Sequence, residues 1–152
     1  DHHDQAVQMA LLTLAKPDIN ATVRTFATEI LIFQRWEIGL LDARLERWGR
    51  NRGELERTTM TWMSMPTPLD TMPGMASADQ LTALRAANGD EADRLFLTLM
   101  REHHRGGRHM AEYAAKHASD GTLRELAGRM ASYQTVEANE YTLLMRSLRF
   151  EN

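Results

Sequence analysis

The segment EHHRGGRHMA, residues 102–111, determines the architecture of this protein because the chain opens with a second version of it. Residues 1–10 read DHHDQAVQMA, so both the His pair and the Met-Ala pair recur. After one skipped residue the match continues, with residues 22–37 aligning with residues 122–137. The chain therefore consists of two copies of one unit joined by an unlike connector. The first copy spans 1–48, the connector 49–90 and the second copy 91–150.

Each copy predicts a helix, a turn and a second helix. In the second copy, apolar residues recur at spacings of three and four on both sides of Ser119-Asp120-Gly121, which is typical of amphipathic helices. Pro17-Asp18-Ile19-Asn20 breaks the first copy at the equivalent place. No alternating apolar run predicts a strand. The second copy carries an apolar segment, residues 95–100, before its His pair. The first copy has no counterpart, so we expect part of the first helix to lie upstream of Asp1.

The connector predicts irregular chain followed by one short helix. Ser77 and Gln80 have the pattern of a capping box, and Asn88-Gly89 is a stop signal. The irregular part, about 29 residues at ~3.3 Å each, can span a bundle about 40 Å long. The sequence thus predicts a single all-α domain, residues 1–152. We expect a ferritin-like four-helix bundle of two repeated hairpins with a long crossover, and simple up-down order is the alternative.

Composition excludes several classes of protein. With 43% apolar and 26% charged residues, the chain has the composition of a soluble globular domain. A net charge of −3 argues against a nucleic-acid partner, and no apolar run reaches the roughly 18–20 residues of a membrane span. The absence of cysteine excludes disulfides, thiolate metal sites and iron–sulfur clusters. No hydrolase elbow, phosphate loop or His-Glu-x-x-His occurs, so we predict no catalytic residue.

Polar residues on the apolar stripes are the main functional signal, because buried polar groups need partners. The His pair of the second copy lies about 15 residues before the turn, and Gln-x-x-Glu lies about 14–17 residues after it. The two therefore meet at one height in an antiparallel hairpin. The first copy repeats this arithmetic. Two hairpins packed about a pseudo-twofold axis would gather one polar layer of His2, His3, Gln34, Glu37, His103, His104, Gln134 and Glu137.

This layer predicts a metal site, because histidine and glutamate bind zinc, copper, iron and manganese. The usual di-iron bundle has four carboxylates and Glu-x-x-His on two helices, whereas this layer offers two carboxylates and four histidines. Nitrogen ligands favour copper, with zinc next. The alternative is a buried His–Glu–Gln hydrogen-bond network that fixes helix register. Within each pair, stripe geometry points His2 and His103 inward.

The methionines predict a second kind of ligand. Thioether sulfur suits Cu(I), so the connector can be read as an auxiliary Cu(I) site or as a loop packed over the bundle. Its methionines are Met60, Met63, Met65, Met72 and Met75. Met9 and Met110 follow the His pairs by seven residues, about 10 Å along the helix axis, and we expect them to fill a second layer of the core. Gly106-Gly107 inside a helix predicts that another helix approaches closely there. We do not expect His109 and His117 to be metal ligands.

The duplicated His-His…Met-Ala, the Gln-x-x-Glu and Met-Pro-Gly-Met at 72–75 resemble the bacterial "domain of unknown function 305" family over nearly the whole chain. The resemblance implies a ferritin-like bundle, an extracytoplasmic location and, in some members, copper binding and copper tolerance. It also implies that the family's His pairs, Gln, Glu and following Met residues are the positions named above.

Residues and resemblance together predict a non-enzymatic, exported metal-binding protein that buffers copper. One alternative is a metal-free bundle that binds a protein partner through an exposed apolar patch under the connector. A second is a redox enzyme with two metal ions. The sequence leaves open the metal, a homodimer and the identity of any protein partner.

Overall fold

Two helical hairpins, one from each copy of the repeat, form the bundle in the computed structural model, which describes residues 1–53 and 57–150. The first hairpin is α1 (His2–Leu14) and α2 (Ala21–Arg47), and the second is α4 (Gly89–His117) and α5 (Gly121–Ser147). Between them lie β1 (Thr58–Thr59), β2 (Thr67–Pro68) and the short helix α3 (Ala78–Ala86). The predicted all-α bundle of two repeated hairpins is confirmed. One departure among the described residues is the small antiparallel pair of β1 and β2 in the connector.

Equivalent polar side chains start the second helix of each hairpin. Asn20 accepts a hydrogen bond from the Thr22 backbone N–H at 2.8 Å, and Asp120 accepts one from Leu123 at 2.9 Å. Each satisfies an N–H that the first helical turn leaves without a partner. The repeat thus extends to the caps.

The short helix begins where the sequence predicts. Ser77 and Gln80 form the complete capping box of α3. The prediction that Asn88-Gly89 ends this helix needs correction, because α3 ends at Ala86 and Asn88 instead precedes the first residue of α4. Gly89 has a φ of +51° at this abrupt change of direction, a conformation that glycine adopts without steric cost.

Long-range contacts fix the order of the helices as a crossover bundle. The side-chain ammonium of Lys16 donates to the Ala87 carbonyl at 2.5 Å, and Asp93 accepts from the Asn20 backbone. The end of α1 therefore lies beside the start of α4, so the two helices are antiparallel. Phe26 packs edge-on against Tyr141, 5.0 Å between ring centroids, and places early α2 beside late α5. Hence α2 and α4 run in the same direction, and the connector must travel the length of the bundle.

The core and one cavity lie on opposite sides of the polar layer. The main apolar cluster joins all four long helices around Met9, Ile30, Phe96, Met100 and Tyr141. Beyond the layer, toward the turn at 118–120, the second halves of α2 and α4 face the first half of α5. An open cavity of about 460 Å³ lies there. Among the described residues, no helix combines the length and apolarity needed to cross a membrane.

Candidate metal centre

The two inner histidines of the repeat meet face to face at the centre of the bundle. The His2 and His103 rings are stacked, with centroids 3.7 Å apart and planes 26° apart. Each is 6.1 Å from the next histidine of its own pair, His3 or His104. These equal distances reflect the pseudo-twofold relation of the two hairpins. The structure thereby brings the four histidines into one layer.

The outer histidines each bind the glutamate of their own hairpin. His3 Nε2 lies 2.9 Å from the Glu37 carboxylate, and His104 Nε2 lies 2.8 Å from that of Glu137. His104 Nδ1 also lies 2.7 Å from the Met100 carbonyl, and a carbonyl oxygen can only accept. Both nitrogens of His104 are therefore engaged, whereas three other histidines have ligand atoms within 4.8 Å of one another: His2, His3 and His103.

Five buried polar atoms in this layer lack a hydrogen-bond partner. They are His2 Nδ1, both ring nitrogens of His103, and Oε1 of Gln34 and Gln134. Their residues are 7% exposed or less. Such atoms are rare in native proteins, and an ion or an ordered water is an established reason for them. Their concentration in one layer makes this layer the candidate site for a bound ion.

Burial keeps the inner histidines neutral. Together with the smaller effect of the neighbouring His3, it lowers the pKa of His2 to about 3, although the Pro73 carbonyl opposes the shift. Burial also holds the pKa of His103 well below its ordinary value, with added effects from His2, His104 and His3 and weak opposition from the Gly74 backbone. Because a metal ligand must be deprotonated, both rings are ready to bind an ion at neutral pH.

The two adjacent glycines of α4 have different neighbours. A methyl group at Gly107 would collide with the Gln134 amide of α5, as the predicted close approach of helices requires. At Gly106, however, it would collide with the backbone of Pro73 in the connector. The sequence pattern did not predict the contribution of Pro73. The only signal was the pairing of Met-Pro-Gly-Met with a glycine inside a helix.

The connector methionines pack mainly against one another. Met60, Met63 and Met72 are buried in a cluster that also contacts Met75, Met110 and Tyr113. Met65 is 45% exposed and lies outside this cluster. We call Met60, Met63, Met72, Met75 and Met110 the methionine cluster. The structure also separates Met110 from Met9, which lies in the main core.

The cavity beside the layer connects the site to the surface. Its lining includes His2, His3 and Gln134 together with apolar side chains such as Leu41 and Met130. The cavity therefore gives His2 and His3 open space beside the layer. The other two histidines are remote from this role, since His109 and His117 are exposed on α4.

Several large apolar side chains outside the connector are exposed. On α2, Ile32, Phe33 and Trp36 are each more than half exposed, and on α5 so are Tyr133 and Val136. Phe33 and Tyr133 are aligned positions of the repeat. These exposed side chains lie on α2 and α5, whereas the protein-binding alternative expects a patch under the connector.

The family model for DUF305, a domain of unknown function, matches residues 1–145. The chain belongs to the DUF305 family. A DUF305 crystal structure from Streptomyces coelicolor, provisionally described as a secreted protein, is 32% identical with a TM-score of 0.87. The match covers 96% of this chain and 86% of that one. A DUF305 fragment from Deinococcus radiodurans is 27% identical with a TM-score of 0.80, covering 96% and 89%.

The DUF305 fold also occurs in the copper protein CopM. CopM in its Cu(I)-bound form is 22% identical to this chain with a TM-score of 0.70, and the match covers 97% of this chain and 89% of CopM. CopM structures with Cu(II) and with Ag match as well. At this identity the likeness establishes a common fold. No curated protein sequence matches this chain significantly.

Proposed function

We propose that this DUF305 chain is a non-enzymatic, exported protein that binds and buffers copper at the polar layer, with zinc as the next best ion. The ligands are His2, His3 and His103. Glu37 supports His3, and the His104–Glu137 pair closes the layer. The observation that carries the proposal is the group of five buried polar atoms without partners, which lies among three histidines whose ligand atoms are within 4.8 Å of one another.

The hydrogen bonds of the ring nitrogens that would not bind the ion support this assignment. Metal-binding histidines almost always give their other ring N–H to a carboxylate or a backbone carbonyl. His3 has such a partner in Glu37, and His2 has one in the Pro73 carbonyl. A purely structural network would use these rings to satisfy Gln34 and Gln134, whose amide oxygens instead have no partner.

The choice of copper rests on donor chemistry. Imidazole nitrogen suits copper and zinc, and thioether sulfur selects Cu(I). The methionine cluster adjoins the layer, because its member Met72 directly precedes Pro73, whose carbonyl contacts His2. We propose this cluster as an auxiliary Cu(I) site. Copper- and silver-bound CopM, which has the same fold, agrees with this choice.

Equilibrium dialysis tests the proposal. Chelator-stripped protein is dialysed against Cu(I) under reductant and against zinc, and the bound metal is counted by elemental analysis. We expect near-stoichiometric binding in the wild type and its loss in His103→Gln. His109→Gln is the matched control, since it removes an exposed histidine of the same helix. Equal retention in all three proteins, or none in the wild type, would refute the assignment.

The exposed apolar faces favour one other candidate, a protein-interaction module. Ile32, Phe33 and Trp36 are exposed neighbours at helical spacing on α2, and grouped exposed apolar side chains mark interaction sites. This reading requires a polar layer that retains no ion. The dialysis experiment therefore separates the two candidates.

A further inference from the structure

One connector segment, residues 72–76, bridges the two hairpins directly over the polar layer, and we name it the strap. The Pro73 carbonyl accepts a hydrogen bond from His2 Nε2 at 3.2 Å. Gln5 of α1 pairs twice with the Ala76 backbone, donating to its carbonyl at 2.9 Å and accepting from its N–H at 2.6 Å. The strap is thus fixed to α1 at two points.

Two glycines allow the strap to lie directly on α4. Gly74 has a φ of +89°, and a Cβ there would approach the His103 carbonyl oxygen to 2.9 Å. Any side chain at Gly106 would collide with the Pro73 carbonyl group itself. Because the obstacle is backbone, no rotamer change relieves this collision. A side chain at Gly106 and the observed position of the Pro73 carbonyl are therefore incompatible.

The hydrogen bond to Pro73 determines the tautomer of His2. A carbonyl oxygen has no proton to give, so Nε2 must carry the hydrogen. In the neutral ring the lone pair then lies on Nδ1. This is the atom of His2 that is buried without a partner. The strap therefore leaves a single atom of His2 free to act as a ligand.

We propose that the strap selects the ligating atom of His2, so that this residue binds the ion through Nδ1, and that Gly106 and Gly74 are positioning residues for it. The inference rests on the proposed metal site. Groups that orient a metal-binding histidine typically contribute 10–100-fold to metal affinity. The strap also carries Met72 of the methionine cluster, so both proposed sites share this segment.

Long-range ¹H–¹⁵N correlation spectra of the wild type test the tautomer directly. In metal-free protein we expect a His2 Nε2–H that exchanges slowly with solvent, and with Zn²⁺ we expect the metal-induced shift at Nδ1. A proton on Nδ1 in the metal-free protein, or zinc at Nε2, would overturn the inference. Should the wild type retain neither zinc nor copper, the proposed function fails, and the metal-free spectrum alone decides the role of the strap.

The glycine variants test the positioning role. We expect Gly106→Ala to weaken zinc binding by about 10–100-fold and to expose the His2 Nε2–H to solvent exchange. Gly128→Ala is the matched control, because a methyl group at that helical glycine meets nothing within 4 Å. Gly74→Ala, which acts on the strap itself, should reproduce the loss. Wild-type affinity and slow exchange in folded Gly106→Ala would contradict the inference.

Discussion

His2 and His103 are aligned residues of the repeat, and both are buried as neutral rings in contact with each other. This burial has a pH-dependent cost. In the unfolded chain His2 takes up a proton near its ordinary pKa of 6.5, whereas in the folded protein its pKa is about 3. Between these values the unfolded state binds more protons. The free energy of unfolding is therefore unaffected by His2 above pH 6.5, and it decreases as the pH falls from 6.5 toward 3.

The resulting prediction concerns the metal-free protein. Lowering the pH from 7 to 5 should cost about 2 kcal/mol of unfolding free energy through His2 alone. Urea unfolding should show this loss in the wild type and a loss smaller by about that amount in His2→Gln. The exposed-residue variant His109→Gln should behave as the wild type does. Equal losses in wild type and His2→Gln would show that His2 is not held neutral by burial.

His104 should behave differently from His103 although the two are neighbours in sequence. Its nitrogens already bind the Met100 carbonyl and Glu137, so His104→Gln should mainly lower stability, by about 1–3 kcal/mol. Copper affinity should fall much less than in His103→Gln. Paired thermal denaturation and copper titration of the two variants decide this. A larger affinity loss in His104→Gln would make it the ligand.

The sequence predicted which residues share the layer but not how each is used. Residue counting from the turns put His104 and Glu137 at one height, and the structure pairs them at 2.8 Å. Stripe geometry pointed His103 inward, yet His104 is equally buried. The hydrogen bond to the Met100 carbonyl depends on the side-chain rotamer, which residue spacing does not encode.

Within the helices, alanine substitutions of glycine distinguish the cost of a steric collision from the gain in helix propensity. Gly106→Ala should lose about 1–3 kcal/mol, since relief requires backbone movement of the strap. Gly39→Ala and Gly128→Ala, which meet nothing within 4 Å, should gain up to about 1 kcal/mol. Gly107→Ala should lie between them, because its obstacle is the end of the Gln134 side chain. Chemical denaturation of the four variants checks this order, and a stabilised Gly106→Ala would contradict it.

Local sequence signals located the ends of the helices. Whether such a signal ends one helix or begins the next, however, depends on tertiary packing. Ser77 and Gln80 formed the expected capping box. Asn88-Gly89 marked a real break but belongs to the start of α4. The chain must reverse within two residues there, and Lys16 binds the carbonyls at the end of α3. These contacts come from the other hairpin and are invisible to a local pattern.

For the whole molecule, the internal repeat predicted the bundle, whereas the connector followed no periodicity. The two copies gave the hairpins and their antiparallel packing. Residues 49–77 gave only turn signals, and their methionines could face either the bundle or an ion. The structure buries three of them together, which is compatible with both roles.

Substitution by leucine can separate these two roles. Met60→Leu combined with Met72→Leu keeps apolar volume, and each such exchange usually costs less than about 1.5 kcal/mol. The protein should remain folded but bind one Cu(I) fewer, with zinc binding at the layer unchanged. Elemental analysis after dialysis measures both. Unchanged Cu(I) capacity would leave the methionine cluster with a packing role alone.

Anomalous diffraction at the copper edge, from crystals of the protein loaded with Cu(I) under reductant, tests the proposed copper site most directly. We predict an anomalous peak within coordination distance of His2, His3 and His103, about 2 Å from the ligand nitrogens. We also predict that this peak is lost in His103→Gln. A wild-type crystal with copper only at other positions, or with an ordered water in the layer and no copper, would contradict the proposed site.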